Sequence, residues 1–166
     1  MFGTIGISVA QVKTSSEGPE FRLGTLGVVD DPDNGTQVWM YVNAAEAITA
    51  AGYLCVVDSS FAAEMLDTTS SAPGAGAGKT VGGAGAAIAS GGYGWIQIWG
   101  KGNARTLASA AVGTELTSSA TPGAVDDATT AGLEVINGLS LNTASGGSAE
   151  TNADAFFNFP HVGRTL

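Results

Sequence analysis

Few residues of this 166-residue chain belong to types that perform catalysis, so the first question is whether any stand at a productive spacing. Residues 73–80, PGAGAGKT, end like a phosphate-binding loop. That loop reads G-x-x-x-x-G-K-[ST]: its glycines turn N–H groups around phosphate oxygens, its Lys reaches the terminal phosphates and its hydroxyl holds Mg²⁺. Gly78, Lys79 and Thr80 fit, but Pro73 stands where the opening glycine belongs. Proline has a fixed φ and no N–H to offer. Such a loop also follows a buried strand and opens a helix. Upstream lies the polar EMLDTTSSA, and downstream Gly82, Gly83 and Gly85 would each weaken a helix by about 1 kcal/mol relative to Ala. The apolar run 53–58 ends in Asp58, as a Mg²⁺-binding strand does, yet it precedes the loop instead of following it. The pattern predicts a Gly/Ala-rich loop, not a nucleotide site.

The other candidates fare similarly. In DDPDNG (30–35), taking Gly35 as the turn glycine of a Ca²⁺ loop puts Asp30 and Asn34 at ligand positions. Pro32 then falls where a ligand is needed, and Tyr41 replaces the bidentate Glu. A tight turn between strands is the better reading. Asp126 and Asp127 are adjacent, so on a strand they would point to opposite faces, which suits a turn better than paired acid–base work. His161 is the single histidine, and no serine sits in a G-x-S-x-G elbow to meet it. One His and one Cys cannot make an ordinary zinc site without carboxylates. Cys55, the single cysteine, excludes an internal disulfide and reads as a small buried hydrophobe. These residues point to no enzyme and no cofactor.

Composition narrows the partners. The net charge is −9, with six Lys plus Arg, which argues against nucleic acid and against an anionic membrane surface. Only 13% of residues are charged, against about a quarter in an ordinary soluble domain. Mean hydropathy is +0.21. The surface must then be built from Ser, Thr, Asn, Gly and Ala, which is easily desolvated against another chain. No stretch reaches the ~20 apolar residues of a membrane helix. The opening MFGTIGISVAQVK lacks the basic region and long apolar run of a signal peptide, so the sequon Asn34-Gly35-Thr36 carries little meaning.

The elements that would position any site read as short strands with turn signals about every ten residues, the rhythm of a sandwich or barrel. FRLGTLGVV (21–29) and QVWMYV (37–42) flank the acidic turn and form a predicted hairpin. Asn43, Glu46 and Gly52 predict one short helix over 44–51 by capping spacing. YLCVV is a buried strand. Residues 68–92, nearly all Gly, Ala and Ser, predict an extended arm or loop. YGWIQIWG (93–100) is the clearest strand, and NARTLA, GTELTSS, GAVDDA, LEVINGLSL and AFFNFPHV continue the pattern. The expectation is a single all-β domain over 1–166, an antiparallel sandwich or barrel.

In YGWIQIWG, period two puts Tyr93, Trp95, Gln97 and Trp99 on one face and Ile96 and Ile98 on the other. The aromatic face is either a second side of the core or an exposed platform for sugar or protein. Too little apolar surface lies in 68–92 for it to order itself. Something else must hold it, the domain body or a neighbouring subunit, with the glycines allowing close approach and Pro73, Gly76 and Gly78 as candidate partner-binding residues. On that reading, deleting residues 73–85 leaves the isolated fold stable and weakens attachment.

YVNAAEAITAAG, then GGYGWIQIWGKGNART, then GTELTSSATPGAVDDATTAG follow one another in an order that resembles head decoration (cement) proteins of tailed bacteriophages. The matching stretches are Gly92 to Gly100 and Gly113 to Asp127, so that the resemblance covers about the second half of the chain, with a weaker match over Tyr41 to Asp58. The resemblance implies an all-β, non-enzymatic protein on the capsid exterior. It would bind the major capsid protein as a homotrimer at local three-fold axes. A receptor- or glycan-binding module of a fibre or cell surface is the alternative, distinguished by an exposed Trp95/Trp99 face.

Overall fold

The computed structural model describes residues 6–166, and over these the chain is all-β. Ten strands run in order: β1 (Leu26–Asp31), β2 (Gly35–Ala44), β3 (Leu54–Val57), β4 (Ala62–Met65), β5 (Thr80–Ala84), β6 (Tyr93–Thr106), β7 (Thr117–Ser118), β8 (Val125–Asp126), β9 (Glu134–Leu141) and β10 (Thr151–Thr165). All belong to one mixed sheet. It closes on itself twice. β2, β4, β3, β5 and β6 pair in a ring, with β6 returning to β2. A second ring runs β6, β10, β9, β7, β8 and back to β6. The long β6 belongs to both, and closure removes edges that would otherwise remain unpaired.

Each ring has its own core. Val42, Ile48, Cys55, Val57, Ile88, Ile96 and Ile98 pack together in the first. Leu116, Val125, Ile136, Leu141, Ala155 and Phe157 pack in the second, joined by Leu54, Val56 and Val81 from β3 and β5. The wall between the cores is therefore β3 and β5, and period two explains how. Leu54 and Val56 face one core while Cys55 and Val57 face the other. A strand buried on both faces must read as a continuous apolar run, as YLCVV does.

The hairpin expected around the acidic turn is present, with Leu26↔Met40 through Asp31↔Gly35 in antiparallel register. Asp31 Oδ1 accepts from Asp33 N, Asn34 N and Asn34 Nδ2 at 3.0, 2.8 and 2.9 Å, closing the turn.

Two expectations are corrected. No helix forms over 44–51. Ile48 instead exchanges hydrogen bonds with Ile88 (2.8 and 3.0 Å), and Gly52 N donates to Ala84 O. Asn43 Nδ2 donates to Gly91 and Gly92 carbonyls, and Glu46 accepts from Met65 N at 2.7 Å. The capping groups are engaged across the sheet, so tertiary pairing overrides a weak local preference. Nor is 68–92 one arm: Thr80–Ala84 is a strand paired with β3, β6 and β10, and Val81, Ala84 and Ile88 are buried.

Candidate functional site

The Gly/Ala loop at 73–79 is ordered by the body of the domain. Ala75 N and Gly76 N both donate to Ala72 O (2.9 Å), Lys79 N to Gly76 O (2.9 Å), and Gly78 N to Val162 O of β10 (2.8 Å). These are the donors a phosphate cradle would have to present, and they are consumed within the chain. Thr80 then opens a strand, not a helix. The fold does bring Lys79 and Asp58 to one hollow of about 410 Å³, because Val57 pairs with Thr80. Yet Lys79 Nζ lies 3.8 Å from Glu64. Asp58 Oδ1 accepts from the Ser60 hydroxyl and from Ser60 and Ala62 amides, and these bonds, the hydroxyl's first, hold its carboxyl below the usual range. Asp58 caps a turn. Pro73 and Gly78 are exposed, whereas Gly76 is buried, with no room for a methyl against the Ser70–Ser71 backbone.

The aromatic candidates separate. Trp95 is 1% exposed, in a cluster with Trp39 and Tyr41 that Ile7, Val9, Phe21 and Leu23 cover from outside. Phe21 meets the Tyr41 ring edge-on at 5.3 Å. Tyr93, half-buried, stacks on Tyr41 at 6.4 Å. No exposed platform exists over Trp95. Trp99 leaves the shared face: the register of β2 on β6 shifts between Val38 and Trp39, so Trp99 lies opposite Val38 and packs edge-on against Phe156 at 5.7 Å. A bulge re-aims the side chains beyond it.

Other chemical groups are engaged singly. Asp127 Oδ2 accepts from Ala111 N, while Asp126 Oδ1 accepts from Asp127 N. His161 is exposed, with Nε2 at 3.5 Å from Asn137 Nδ2. Cys55 is fully buried, and burial, aided by the charge of Glu46, pushes its thiol up to about 12. Among the described residues no three His, Cys, Asp or Glu side chains converge as metal ligands.

What the sequence reading did not single out is surface. Among the described residues, β1 hydrogen-bonds on one side only, to β2. Leu26 and Val28 point outward from it, 50% and 44% exposed. The signal was present as alternation in LGVVD, where Leu26, Val28 and Asp30 share a face. Phe159 is also exposed, at φ 49° within the β10 irregularity that follows Phe157. No family model matches the chain, and neither does any curated protein or solved structure.

Proposed function

We propose that this chain is a non-enzymatic virion protein, a head decoration protein seated on the outside of a phage capsid. It contacts the major capsid protein, as a homotrimer at local three-fold axes, and stabilises the shell by burying surface across neighbouring subunits. The observation that carries the reading is the edge of β1 that has no partner strand among the described residues. Natural proteins blunt exposed edges with Pro, Lys or a covering element. Here a six-residue edge instead displays Leu26 and Val28. Covering each, about half exposed, would contribute roughly 1 kcal/mol, with backbone hydrogen bonds added along the strand. The resemblance of 92–100 and 113–127 to decoration proteins supports the same reading.

The test is attachment to undecorated heads of the cognate phage. Purified chain should bind saturably, in multiples of three, and raise the temperature at which heads rupture. Leu26→Lys with Val28→Lys should fold and fail to attach. A chain that ignores heads, or a double variant that attaches as tightly as the parent, overturns the proposal.

A further inference from the structure

Beneath the β1–β2 turn, between β5 and β6, lies a cavity of about 200 Å³ lined in part by Asp31, Asn34, Trp39, Gln97 and Asn103. This is smaller than the roughly 300–1,000 Å³ of small-molecule sites and is closer to the size of one side chain. Two glutamines beside it are almost wholly buried, Gln37 at 5% and Gln97 at 3% exposure. Gln37 is satisfied at both ends: its Nε2 donates to Lys101 O at 2.7 Å, and its Oε1 accepts from Trp39 Nε1 at 3.2 Å. Gln97 is not. Its Nε2 donates to Trp99 O and Lys101 O at 3.2 and 2.9 Å. Both partners are carbonyls, so the amide cannot be turned over, and Oε1 remains an acceptor with no donor among the described residues. That oxygen lies against Gly102, another wall of the cavity.

Asp31 adds a second open acceptor. Its Oδ1 takes three hydrogen bonds while Oδ2 takes none among the described residues. The bonds from the Asn34 and Asp33 amides hold the carboxyl below its usual range, so it is ionised. None of the ion pairs of the described chain involves it. Five of the six basic side chains are already within 4.0 Å of a carboxylate elsewhere.

Open acceptors beside an ionised carboxylate select a ligand that is positive and rich in donors. A neutral polyol brings acceptors along with its donors, and a bare Ca²⁺ needs six to eight oxygens. A guanidinium brings donors only and delivers several from one rigid plane. We infer that this cavity receives a basic side chain, an arginine in preference to a lysine, from the protein on which the chain sits. The inference rests on the proposed seating for its source of that side chain, and on the cavity alone for its chemistry.

The probe is methylguanidinium, followed through the side-chain amide signals of Asn34, Gln97 and Asn103 in NMR. Saturable shifts at millimolar concentration, weakened by salt, are expected, with n-butylammonium weaker and xylitol and Ca²⁺ without effect. Asp31→Asn keeps an acceptor for the turn and removes the charge, and should weaken binding at least tenfold while the chain keeps a cooperative melt. Gly102→Ala, whose methyl would displace the Gln97 amide, is a second route to the same loss. Absence of methylguanidinium shifts, equal shifts from xylitol or Ca²⁺, or full binding by both variants overturns the site. On cognate heads, Asp31→Asn should attach at least tenfold more weakly than the parent. Equal attachment overturns the assignment of the ligand to the capsid. If the parent decorates heads but methylguanidinium does not bind, the cavity inference falls and the seating stands. If methylguanidinium binds as described and the parent ignores heads, the seating falls and takes the partner assignment with it.

Discussion

Residues 73–79, PGAGAGK, and residues 80–88, TVGGAGAAI, are built from almost the same few amino acids. The first stretch turns at the surface, tied down by its own amides and two bonds to Val162 of β10. The second is β5, buried between two cores, and a short bend that brings Ile88 back into the first core. Small residues serve opposite ends in the two. In the loop, Gly74 and Gly78 adopt φ of 83° and 76° with nothing within 4 Å of where a Cβ would stand, so glycine is there for conformation. In β5, a Cβ on Gly82 would stand 2.7 Å from Gln97 O, and one on Gly83 2.9 Å from Phe157 Cζ. Glycine is there for space, letting two cores approach through one strand.

The largest effect should come from deleting residues 73–85, which removes the loop and β5 together. The chain should lose its cooperative thermal transition. Cys55, which pairs with Gly82 across β3 and β5, should then react with a thiol reagent at pH 8, where the intact protein protects it. This reverses the outcome expected when 68–92 is read as a dispensable arm, and a cooperative melt of the deletion variant would restore that reading. The same thiol sets a pH dependence. Its folded pKa of about 12 stands above that of an exposed thiol, so the unfolded chain releases its proton first. Stability is untouched below about pH 8 and declines as pH rises from about 9 towards 12.

Next in size is Ile88→Ala. This side chain is 1% exposed in the first core, and its truncation should cost about 3 kcal/mol in chemical denaturation. Gly83→Val, forced against Phe157, should cost about 2–3 kcal/mol by overpacking, clearly more than strain alone. Gly74→Ala, in open space at positive φ, should cost about 1 kcal/mol by backbone strain alone. Equal losses for the last two would erase the distinction between space and conformation. The smallest effect belongs to Lys79→Ala. Its partly exposed pair with Glu64 is worth less than about 1 kcal/mol, and ATP should bind neither form. Mg²⁺-dependent ATP binding lost in this variant would overturn the account of the loop.

Much of the strand content was legible in particular residues. YLCVV announced a strand buried on both faces, and DDPDNG announced a turn through Asp31, Asn34 and Gly35. The face shared by Tyr93, Trp95 and Gln97 followed from period two. Trp99 escaped that logic because an extra residue in one strand of a pair leaves no mark on composition. The helix over 44–51 was misread because Asn43, Glu46 and Gly52 match a capping pattern while their hydrogen bonds go to residues 18 to 53 positions away. The amide cavity was not legible at all, since Asp31 and Gln97 come to line one hollow only through the register of β2 on β6 and the approach of β5.

The sequence by itself determined the class of the molecule. Apolar alternation, turn residues and the scarcity of charge require many short strands, because such a chain can bury its apolar side chains and satisfy its backbone in no other regular way. It also determined that Cys55, His161 and the carboxylates do not stand at the spacings of known catalytic motifs. Only the tertiary structure decided which glycines turn and which let two cores meet. It placed Trp95 inside and left Leu26 and Val28 exposed. It set Asp31 and Gln97 on one cavity. The physical reason is that alternation fixes which residues share a face of a strand, while ring closure and register, set by contacts distant in sequence, decide what each face meets.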